Sequence, residues 1–371
     1  MIRKALLLSA APLLAAAVSF SAQAQEKVVN VYNWSDYIDP ATLEAFTKET
    51  GIKVVYDTMD SNEVLETKLL AGQTGYDVVV PTGSFLQRQI KADIYLPLDK
   101  AKVPNLKYAW EKVYAKLAVY DPDNAHAVNY MWGTTGIGYN VEKAKARMGD
   151  QPMNTWDIIF KPENLAKFAD CGVYFLDSPE EIVPAALKYL GLDPDSKNPG
   201  DLEKAGVLLA SIRPSIKKFH SSEYINALAN GDICLVVGWS GDVLQAKNRA
   251  VEAHTKSPDK PLVDIDYVIP KEGALMWFDS FAIPKDAAHV PEALAFIDFM
   301  ERPEIAAQNS NFVSYANGNL ESQKTITPEI LKNPSIYPTE DVMSRLFTVT
   351  AYDTKVQRVL TRIWTKFKTG Q

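Results

Sequence analysis

The part of the chain that follows the N-terminal leader alternates regularly between strand-like and helix-like segments. Residues 28–32, 52–56 and 76–80 are rich in the apolar and β-branched residues of strands. Residues 40–50 and 61–71 lie between them and have the residue spacing of helices. Strands that alternate with helices build a largely parallel sheet with helices on its faces. The sequence therefore predicts an α/β fold.

A second alternation of the same kind occupies the middle of the chain. Residues 173–176 and 233–237 are strand-like, and residues 179–190, 201–212 and 242–252 are helix-like. A chain of 371 residues is also longer than a single compact core usually holds. Two lobes, each with its own strands and helices, are therefore expected.

The segment 127–140 joins the two alternations and has the composition of extended chain. Its glycines do not make a nucleotide-binding loop, because Tyr139 and Asn140 do not begin a helix after Gly138. We interpret the segment as a strand that crosses between the lobes, with glycines easing a hinge, and the polar stretch 253–261 as a return crossing. These boundaries assign residues 25–134 and 260–311 to one lobe and residues 135–259 and 312–371 to the other.

The N-terminus carries the three parts of a secretory signal peptide. Arg3 and Lys4 are followed by an apolar run to about Phe20 and by the small-residue pattern Ala22-Gln23-Ala24. The apolar run is shorter than the roughly 18–20 residues that span a bilayer. Residues 1–24 are therefore predicted to be a signal peptide, and the mature protein is expected to be exported and soluble.

The charge balance excludes some partners. Residues 1–24 contain two basic residues and no acidic ones, so their removal moves the net charge from −7 to −9. Nucleic acids and anionic membrane surfaces attract basic proteins, so neither is an expected partner. A mildly acidic exported protein suits a cationic ligand instead.

Cys171 and Cys234 are the only cysteines in the sequence. In an oxidising compartment an even pair suggests one disulfide, and two buried free thiols are the alternative. A disulfide would close a loop of about 63 residues, which is worth roughly 4 kcal/mol in the chain-entropy model. The cysteines and the four histidines lack the spacing of a metal site, so no metal is expected.

Three stretches place tryptophan beside aspartate next to strand-like runs. They are Trp34-Ser35-Asp36-Tyr37, Trp239-Ser240-Gly241-Asp242 and Trp277-Phe278-Asp279. An aromatic face attracts an organic cation, and a carboxylate pairs with the charge of that cation. Ligands of open α/β sheets bind beyond the carboxyl ends of the strands. The three stretches therefore predict a site for a small organic cation.

The aspartates near these stretches differ in how well local structure explains them. Asp39 precedes Pro40 and is expected to cap a helix. Asp36 has no such role, and we interpret it as a ligand contact. Asp242 lies in the first turn of a helix, where the helix dipole also favours an acid. Asp279 interrupts an apolar strand. Because an unpaired buried charge is very costly, Asp279 needs a cationic partner. That partner is either a Lys or Arg side chain or, as we favour, a ligand cation.

Glu181 and several hydroxyl groups also have a local explanation. Ser178-Pro179-Glu180-Glu181 matches a capping box, and this pattern alone favours a capping role for Glu181. A hydroxyl group at a helix start can cap the helix and still turn its oxygen toward an ammonium group. Such hydroxyl groups are expected on Thr82, Ser84 and Ser221.

Longer motifs make the chain resemble a known family. They are Asn33-Trp34-Ser35-Asp36-Tyr37-Ile38, Gly75-Tyr76-Asp77-Val78-Val79-Val80-Pro81, Phe219-His220-Ser221-Ser222, Leu228-Ala229-Asn230-Gly231-Asp232-Ile233-Cys234, Gly238-Trp239-Ser240-Gly241-Asp242-Val243 and Ile269-Pro270-Lys271-Glu272-Gly273-Ala274. With these motifs the chain resembles the periplasmic polyamine-binding proteins of bacterial ABC transporters, and the putrescine-binding form most. The resemblance covers the whole chain after the leader.

The resemblance implies a two-lobed periplasmic-binding-protein fold of type II. In this fold crossover strands join the two lobes, and the ligand cleft lies between them. It implies a periplasmic receptor that delivers its ligand to an inner-membrane ABC permease, and it implies the Cys171–Cys234 disulfide. We expect a monomer without a cofactor. It also implies that Glu181 contacts the ligand as well as capping its helix. The expected ligand-binding residues are Trp34, Ser35, Asp36, Tyr37, Thr82, Ser84, Glu181, Ser221, Trp239, Asp242, Trp277, Asp279 and Tyr315.

Three departures from the family pattern bear on which polyamine is bound. Thr82 stands where the family usually has Ser, and Ser178 stands where the putrescine-binding form has Ala. Trp277 stands where putrescine-binding members tend to carry Phe and spermidine-binding members Trp. Trp277 alone points toward the longer triamine, whereas Ser35, Asp36, Ser84 and Asp242 match the putrescine-binding form. The resemblance therefore makes putrescine the first choice of ligand and spermidine the second. Asp279 is expected near one ammonium group, and Asp242 with Glu181 near the other.

Two other functions are alternatives. An anion receptor of the same fold would use helix N-termini together with Arg or Lys, whereas the candidate helix starts here carry Glu181 and Asp242. A secreted hydrolase with paired carboxylates is the alternative from another class, because aromatic acidic clefts also suit sugars. No Ser-His-Asp, metal or redox motif stands out in the sequence, so an enzyme is not expected.

Overall fold

A computed structural model describes residues 27–371, and the predicted signal peptide lies outside the described residues. The strands are β1 Val28–Trp34, β2 Lys53–Met59, β3 Val78–Val79, β4 Ala127–Asn140, β5 Val173–Phe175, β6 Lys218–Phe219, β7 Leu235–Trp239, β8 Ile265–Val268, β9 Met276–Ala282 and β10 Ala316–Asn317. The helices are α1 Pro40–Thr50, α2 Asn62–Ala71, α3 Gly83–Lys91, α4 Glu111–Leu117, α5 Val141–Met148, α6 Asp157–Phe160, α7 Pro162–Leu165, α8 Pro179–Tyr189, α9 Pro199–Ile212, α10 Tyr224–Ala229, α11 Ser240–Lys256, α12 Val290–Met300, α13 Pro303–Val313, α14 Pro328–Leu331, α15 Glu340–Met343 and α16 Thr354–Thr369. Over the described range, no helix is both long and apolar enough to cross a bilayer.

The strands pair in the order β2-β1-β3-β9-β4-β7-β5-β6, and β8 and β10 also pair with β4. β1 is parallel to β2 and β3, and β5 is parallel to β6 and β7. β4 is antiparallel to β7 and to β9. Parallel pairs joined by helices at each end of the order confirm the predicted α/β fold.

β4 passes from one half of the strand order to the other. Its residues 127–134 pair with β9, and its residues 135–139 pair with β7. The predicted crossing strand is therefore present. Packing explains its first glycine, because a Cβ atom on Gly133 would lie 2.6 Å from Cζ2 of Trp277. Gly133 thus allows the Trp277 ring to lie against the strand.

Two hydrophobic cores lie on either side of this crossing. Val31, Val79 and Phe281 belong to the first core, which packs β1, β3 and β9 against α1 and α12. Phe175 and Val236 belong to the second core, which packs β5 and β7 against α8, α9 and α16. We refer to the parts built on these cores as the first lobe and the second lobe.

The packing places two segments differently from the predicted lobe boundaries. Ile265 and Tyr267 pack in the second core, because β8 pairs with the second half of β4. Val313 and Ile336 pack in the first core, and β10 pairs with the first half of β4. We infer that the chain crosses between the lobes within β4, near residues 270–275 and near residues 347–351.

Cys171 and Cys234 form a disulfide, as the sequence suggested. Cys234 is fully buried in the second core, and it immediately precedes β7. The bond therefore ties the segment before β5 to the segment before β7. It lies at the end of β7 opposite to Trp239.

Candidate ligand-binding site

A partly enclosed cavity lies between the two lobes. β1 ends at Trp34 and β7 ends at Trp239, whereas Trp277 lies near the start of β9. The order of the strands brings these three tryptophans to the same place. The cavity is lined by Trp34, Ser35, Tyr37, Met59, Asp60, Thr82, Glu181, Ser221, Ser222, Trp239, Asp242, Trp277, Asp279 and Tyr315.

Aromatic rings form a continuous wall along this cavity. The Trp239 ring lies between Trp34 and Trp277, with centroid distances of 5.7 and 6.4 Å. The Tyr315 ring lies between Trp277 and Tyr37, with centroid distances of 5.3 and 5.2 Å. All four pairs are edge-to-face, so the five rings hold one another in place. Such a wall can cover a chain of methylene groups and can also attract a cation.

Asp279 lies in the middle of β9 and is 5% exposed. The Thr82 hydroxyl donates a hydrogen bond to its Oδ1 at 2.7 Å, and the Tyr37 hydroxyl donates to its Oδ2 at 2.9 Å. Burial raises the pKa of Asp279 to about 7, although both hydrogen bonds act against that rise. The Lys or Arg partner considered from the sequence is not found within residues 27–371. Asp279 therefore has only neutral donors.

Asp242 lies in the first turn of α11 and is also buried. Its Oδ1 accepts a hydrogen bond from the Tyr315 hydroxyl at 2.6 Å, and its Oδ2 accepts one from the Tyr224 hydroxyl at 2.8 Å. Burial raises the pKa of Asp242 to about 7, and both tyrosines act against that rise. The sequence analysis missed Tyr224, because a tyrosine at the start of a helix is typical of ordinary core packing.

Glu181 lies in the first turn of α8, and its Oε2 accepts a hydrogen bond from the hydroxyl of Thr135 on β4. Ser178 is the N-cap residue of α8, but its side chain makes no capping hydrogen bond. The capping-box interpretation was therefore wrong, and Glu181 turns toward the cavity instead. Burial raises the pKa of Glu181 to about 7. No local pattern indicated Thr135, which is 46 residues away in the sequence.

The three buried carboxylates share one property. Each accepts side-chain hydrogen bonds from hydroxyl groups, and no Lys, Arg or His of the described chain forms a salt bridge with any of them. The described residues also contain no group of three or more His, Cys, Asp or Glu that could hold a metal ion. Burying carboxylates without a cation is costly, so burial shifts these acids toward their protonated forms. An organic cation in the cavity would supply the missing charge.

Asp36 lies outside this cavity, although it was predicted to contact the ligand. Its backbone has a positive φ of 55°, which is unusual for a residue other than glycine. Its carboxylate accepts a hydrogen bond from the guanidinium of Arg249 on α11 at 2.6 Å. The structure therefore corrects the prediction, because the Asp36 carboxylate already has a cationic partner on the second lobe.

Ser84 also does not line the cavity. Its hydroxyl donates a hydrogen bond to Oε2 of Glu180 at 2.7 Å, and Arg88 donates to Oε1 of Glu180 at the same distance. Ser84 and Arg88 lie on α3, whereas Glu180 lies on α8. The predicted ligand contact is thus replaced by a contact between the lobes.

Ser35 and Ser221 lie at the cavity, as predicted, but both have protein partners. The Ser35 hydroxyl donates to Oδ1 of Asp60 at 2.8 Å, and the Ser221 hydroxyl accepts from the backbone N–H of Asp177 at 3.2 Å. The sequence analysis missed Asp60. It directly follows β2, so the rule that ligands bind beyond the carboxyl ends of parallel strands could have identified it.

A second, smaller cavity adjoins the first. Thr82, Glu181 and Trp277 line both cavities, and Ser178 and Val349 line only the second. The indole N–H of Trp277 is buried and has no acceptor among residues 27–371. The wall between the two cavities therefore contains an unused donor and a carboxylate.

Comparisons with known proteins agree with this architecture. Residues 41–339 match the model of the bacterial extracellular solute-binding protein family. The chain is 55% identical to the putrescine-binding periplasmic protein SpuD of Pseudomonas aeruginosa over 96% of each chain. It is 52% identical to the putrescine-binding periplasmic protein PotF of Escherichia coli over 94% of this chain and 93% of PotF.

A solved structure shows the same fold. The spermidine/putrescine ABC transporter substrate-binding protein PotD of Streptococcus pneumoniae is 30% identical, with a TM-score of 0.74 over 93% of this chain and 99% of PotD. The expected periplasmic-binding-protein fold is thereby confirmed. The chain belongs to the bacterial extracellular solute-binding protein family and is a periplasmic solute-binding protein, not an enzyme.

Proposed function

We propose that this chain is a receptor for polyamine cations, with putrescine as its first ligand, and that it delivers the ligand to an inner-membrane ABC permease. The observation that carries the proposal is the set of three buried carboxylates beside an aromatic wall, with no cationic side chain to neutralise them. The names of SpuD and PotF, which are putrescine-binding, support the same ligand class.

The two ends of a diamine have separate acids to meet. Putrescine carries two ammonium groups that are separated by four methylene groups. Asp279 extends from the first lobe and Asp242 from the second, so a dication between them would join the lobes. Charge-assisted hydrogen bonds in a desolvated cleft are strong. Because the ligand contacts both lobes only when they are close together, it favours the closed arrangement.

Spermidine is the second candidate, and the neighbouring cavity is the observation that favours it. A triamine is longer than putrescine and carries a third ammonium group. The second cavity shares Glu181 and Trp277 with the first and adds the hydroxyls of Ser84 and Ser178. An anion is not favoured, because the first turns of α8 and α11 present Glu181 and Asp242 to the cavity.

Titration calorimetry with putrescine tests the proposal. We expect saturable binding of one putrescine per chain, and Asp279→Ala should weaken it at least tenfold, since an unpaired ammonium group costs about 2–4 kcal/mol. Asp259→Ala is a matched control, because Asp259 is an exposed acid with no role in the cavity. Unchanged affinity of the Asp279 variant would contradict the assignment.

Delivery to a permease is tested separately. Cells that lack this chain should take up radiolabelled putrescine more slowly, and the wild-type chain should restore uptake. The Asp279→Ala variant should restore uptake only at raised putrescine concentration. Full uptake in the absence of the chain would contradict the delivery step but not the binding step.

A further inference from the structure

The cavity contains one more buried carboxylate than a diamine has ammonium groups, and its fourth carboxylate, that of Asp60, is exposed. Asp242, Asp279 and Glu181 all line the cavity, and all three are at least nine-tenths buried. A bound diamine leaves one negative charge uncompensated if all three acids are ionised, whereas a bound triamine leaves none. In a buried site an uncompensated charge is costly, so the protonation of the cluster should follow the charge of the ligand.

Hydrogen bonding indicates which of the three acids stays protonated when the ligand has only two charges. Both oxygens of Asp242 accept hydrogen bonds from tyrosine hydroxyls, and both oxygens of Asp279 accept hydrogen bonds from Tyr37 and Thr82. Glu181 accepts one, from Thr135 to Oε2, and no group within residues 27–371 donates to its Oε1. Because such donors stabilise a carboxylate, the Glu181 anion receives less stabilisation from hydroxyl groups than the anions of Asp242 and Asp279 do.

The charges around the three acids set Asp242 apart from the other two. Asp242 faces the cation of Arg249 as well as the anion of Asp36. Burial and the anions of Asp279 and Glu180 raise the pKa of Glu181, whereas the Thr135 hydroxyl and the Trp239 indole lower it. The other titratable groups that interact with Glu181 are the hydroxyls of Tyr120 and Tyr267, which are neutral. Glu181 and Asp279 thus have only acids as charged neighbours, whereas Asp242 also faces a cation.

We propose that Glu181 keeps its proton when the cleft holds a diamine dication and releases it to bulk water when the cleft holds a triamine trication. This inference rests on the proposed polyamine function. Glu181 is suited to the role by position, because it lines both the ligand cavity and the adjoining cavity. The protonated acid acts as a neutral hydrogen-bonding group beside the diamine, and the ionised acid neutralises the third ammonium group. The same site can therefore bind a ligand of charge +2 or a ligand of charge +3.

Proton counting tests this proposal on the full mature chain. Calorimetry at pH 7 in phosphate and in Tris, buffers of different ionisation heat, gives the number of protons released on binding putrescine and on binding spermidine. We expect spermidine to release about one proton more than putrescine. In Glu181→Gln, which has the shape of the protonated acid, that difference should disappear. In this variant spermidine binding should weaken at least about tenfold more than putrescine binding does.

Four other outcomes would contradict either this proposal or the proposed function. Equal proton release for the two amines in the wild-type chain would overturn the proposal, and this measurement needs no variant. A Glu181→Gln chain that loses putrescine and spermidine binding by the same factor would also overturn it, as would a wild-type chain that binds putrescine but not millimolar spermidine. A wild-type chain that binds neither amine would instead overturn the proposed function.

Discussion

The Asp36 carboxylate and the Arg249 guanidinium form an ion pair of 2.6 Å between residues that are 213 positions apart in the sequence. Asp36 follows β1 of the first lobe, and Arg249 lies on α11 of the second lobe. Both side chains are partly exposed, at 42% and 32%. The pair therefore joins the lobes from outside the ligand cavity, and we expect it to contribute to closure of the lobes and not to ligand contacts.

Asp36→Asn should weaken putrescine binding modestly and speed up ligand release. A partly exposed ion pair is worth about 0–1 kcal/mol, so the affinity should fall by no more than about fivefold. Stopped-flow tryptophan fluorescence measures the release rate. Glu49→Gln is the matched control, because Glu49 pairs with Arg302 at 2.6 Å inside the first lobe. Equal effects of the two variants would contradict the role in closure.

Ser84→Ala should weaken the binding of all polyamines by the same factor. Ser84 lines the second cavity but not the first, and its hydroxyl is already bonded to Glu180 between the lobes, so we expect its loss to affect closure. A buried hydrogen bond is worth about 0.5–1.5 kcal/mol, which corresponds to a loss of about two- to tenfold. Calorimetry with putrescine and spermidine measures both affinities. A changed ratio between the two amines would show that Ser84 contacts the ligand after all.

Putrescine affinity should rise between pH 6 and pH 8. Burial raises the pKa of Asp242 and of Asp279 to about 7, so the empty cavity holds protons on these acids below pH 7. A dication binds the ionised acids, and protons therefore compete with it at low pH. The affinity should increase about tenfold or more over this range and then level off. Calorimetric measurement of the putrescine affinity across this pH range checks the direction of the change. An affinity that falls as the pH rises would contradict the prediction.

Glu301→Gln should stabilise the protein at alkaline pH. Glu301 is 3% exposed at the end of α12, and its Oε2 has no partner in the described chain. Burial raises its pKa to about 8, which is above the ordinary value of 4.5. Between these values the folded chain holds a proton that the unfolded chain releases, so this group lowers the free energy of unfolding as the pH rises.

Urea unfolding at pH 5 and pH 8 measures this effect. The variant should gain at least about 1 kcal/mol relative to wild type at pH 8, because one pKa unit corresponds to about 1.4 kcal/mol. At pH 5 the two chains should differ much less. Glu304→Gln, at an exposed acid on α13, is the control and should show no such pH dependence.

Reduction of the Cys171–Cys234 disulfide should destabilise the chain without changing ligand affinity. The bond closes a long loop, and its loss should cost roughly 4 kcal/mol in the chain-entropy model. It lies at the opposite end of β7 from Trp239, so the cavity should be unaffected while the chain stays folded. Thermal unfolding with and without dithiothreitol checks the stability, and calorimetry checks the affinity. A large loss of affinity in the folded, reduced chain would contradict this separation.

The fold was largely predictable because its signals are local. The alternation of apolar strands with capped helices depends on neighbouring residues, and the Cys pair depends on composition. The lobe boundaries were less accurate, because Val313 and Ile336 pack in the first core through the pairing of β10 with β4. That pairing joins residues more than 180 positions apart, and no nearby residue signals it.

The sequence by itself determined the family, the α/β elements and the aromatic and acidic residues at the strand ends. Only the tertiary structure decided how those acids are used. It places Asp279, Asp242 and Glu181 around one cavity, pairs Asp36 with Arg249 and supplies Tyr224 and Thr135 as hydrogen-bond donors. The physical reason is that a carboxylate's role depends on its burial and on its partners. Most of those partners come from distant parts of the chain.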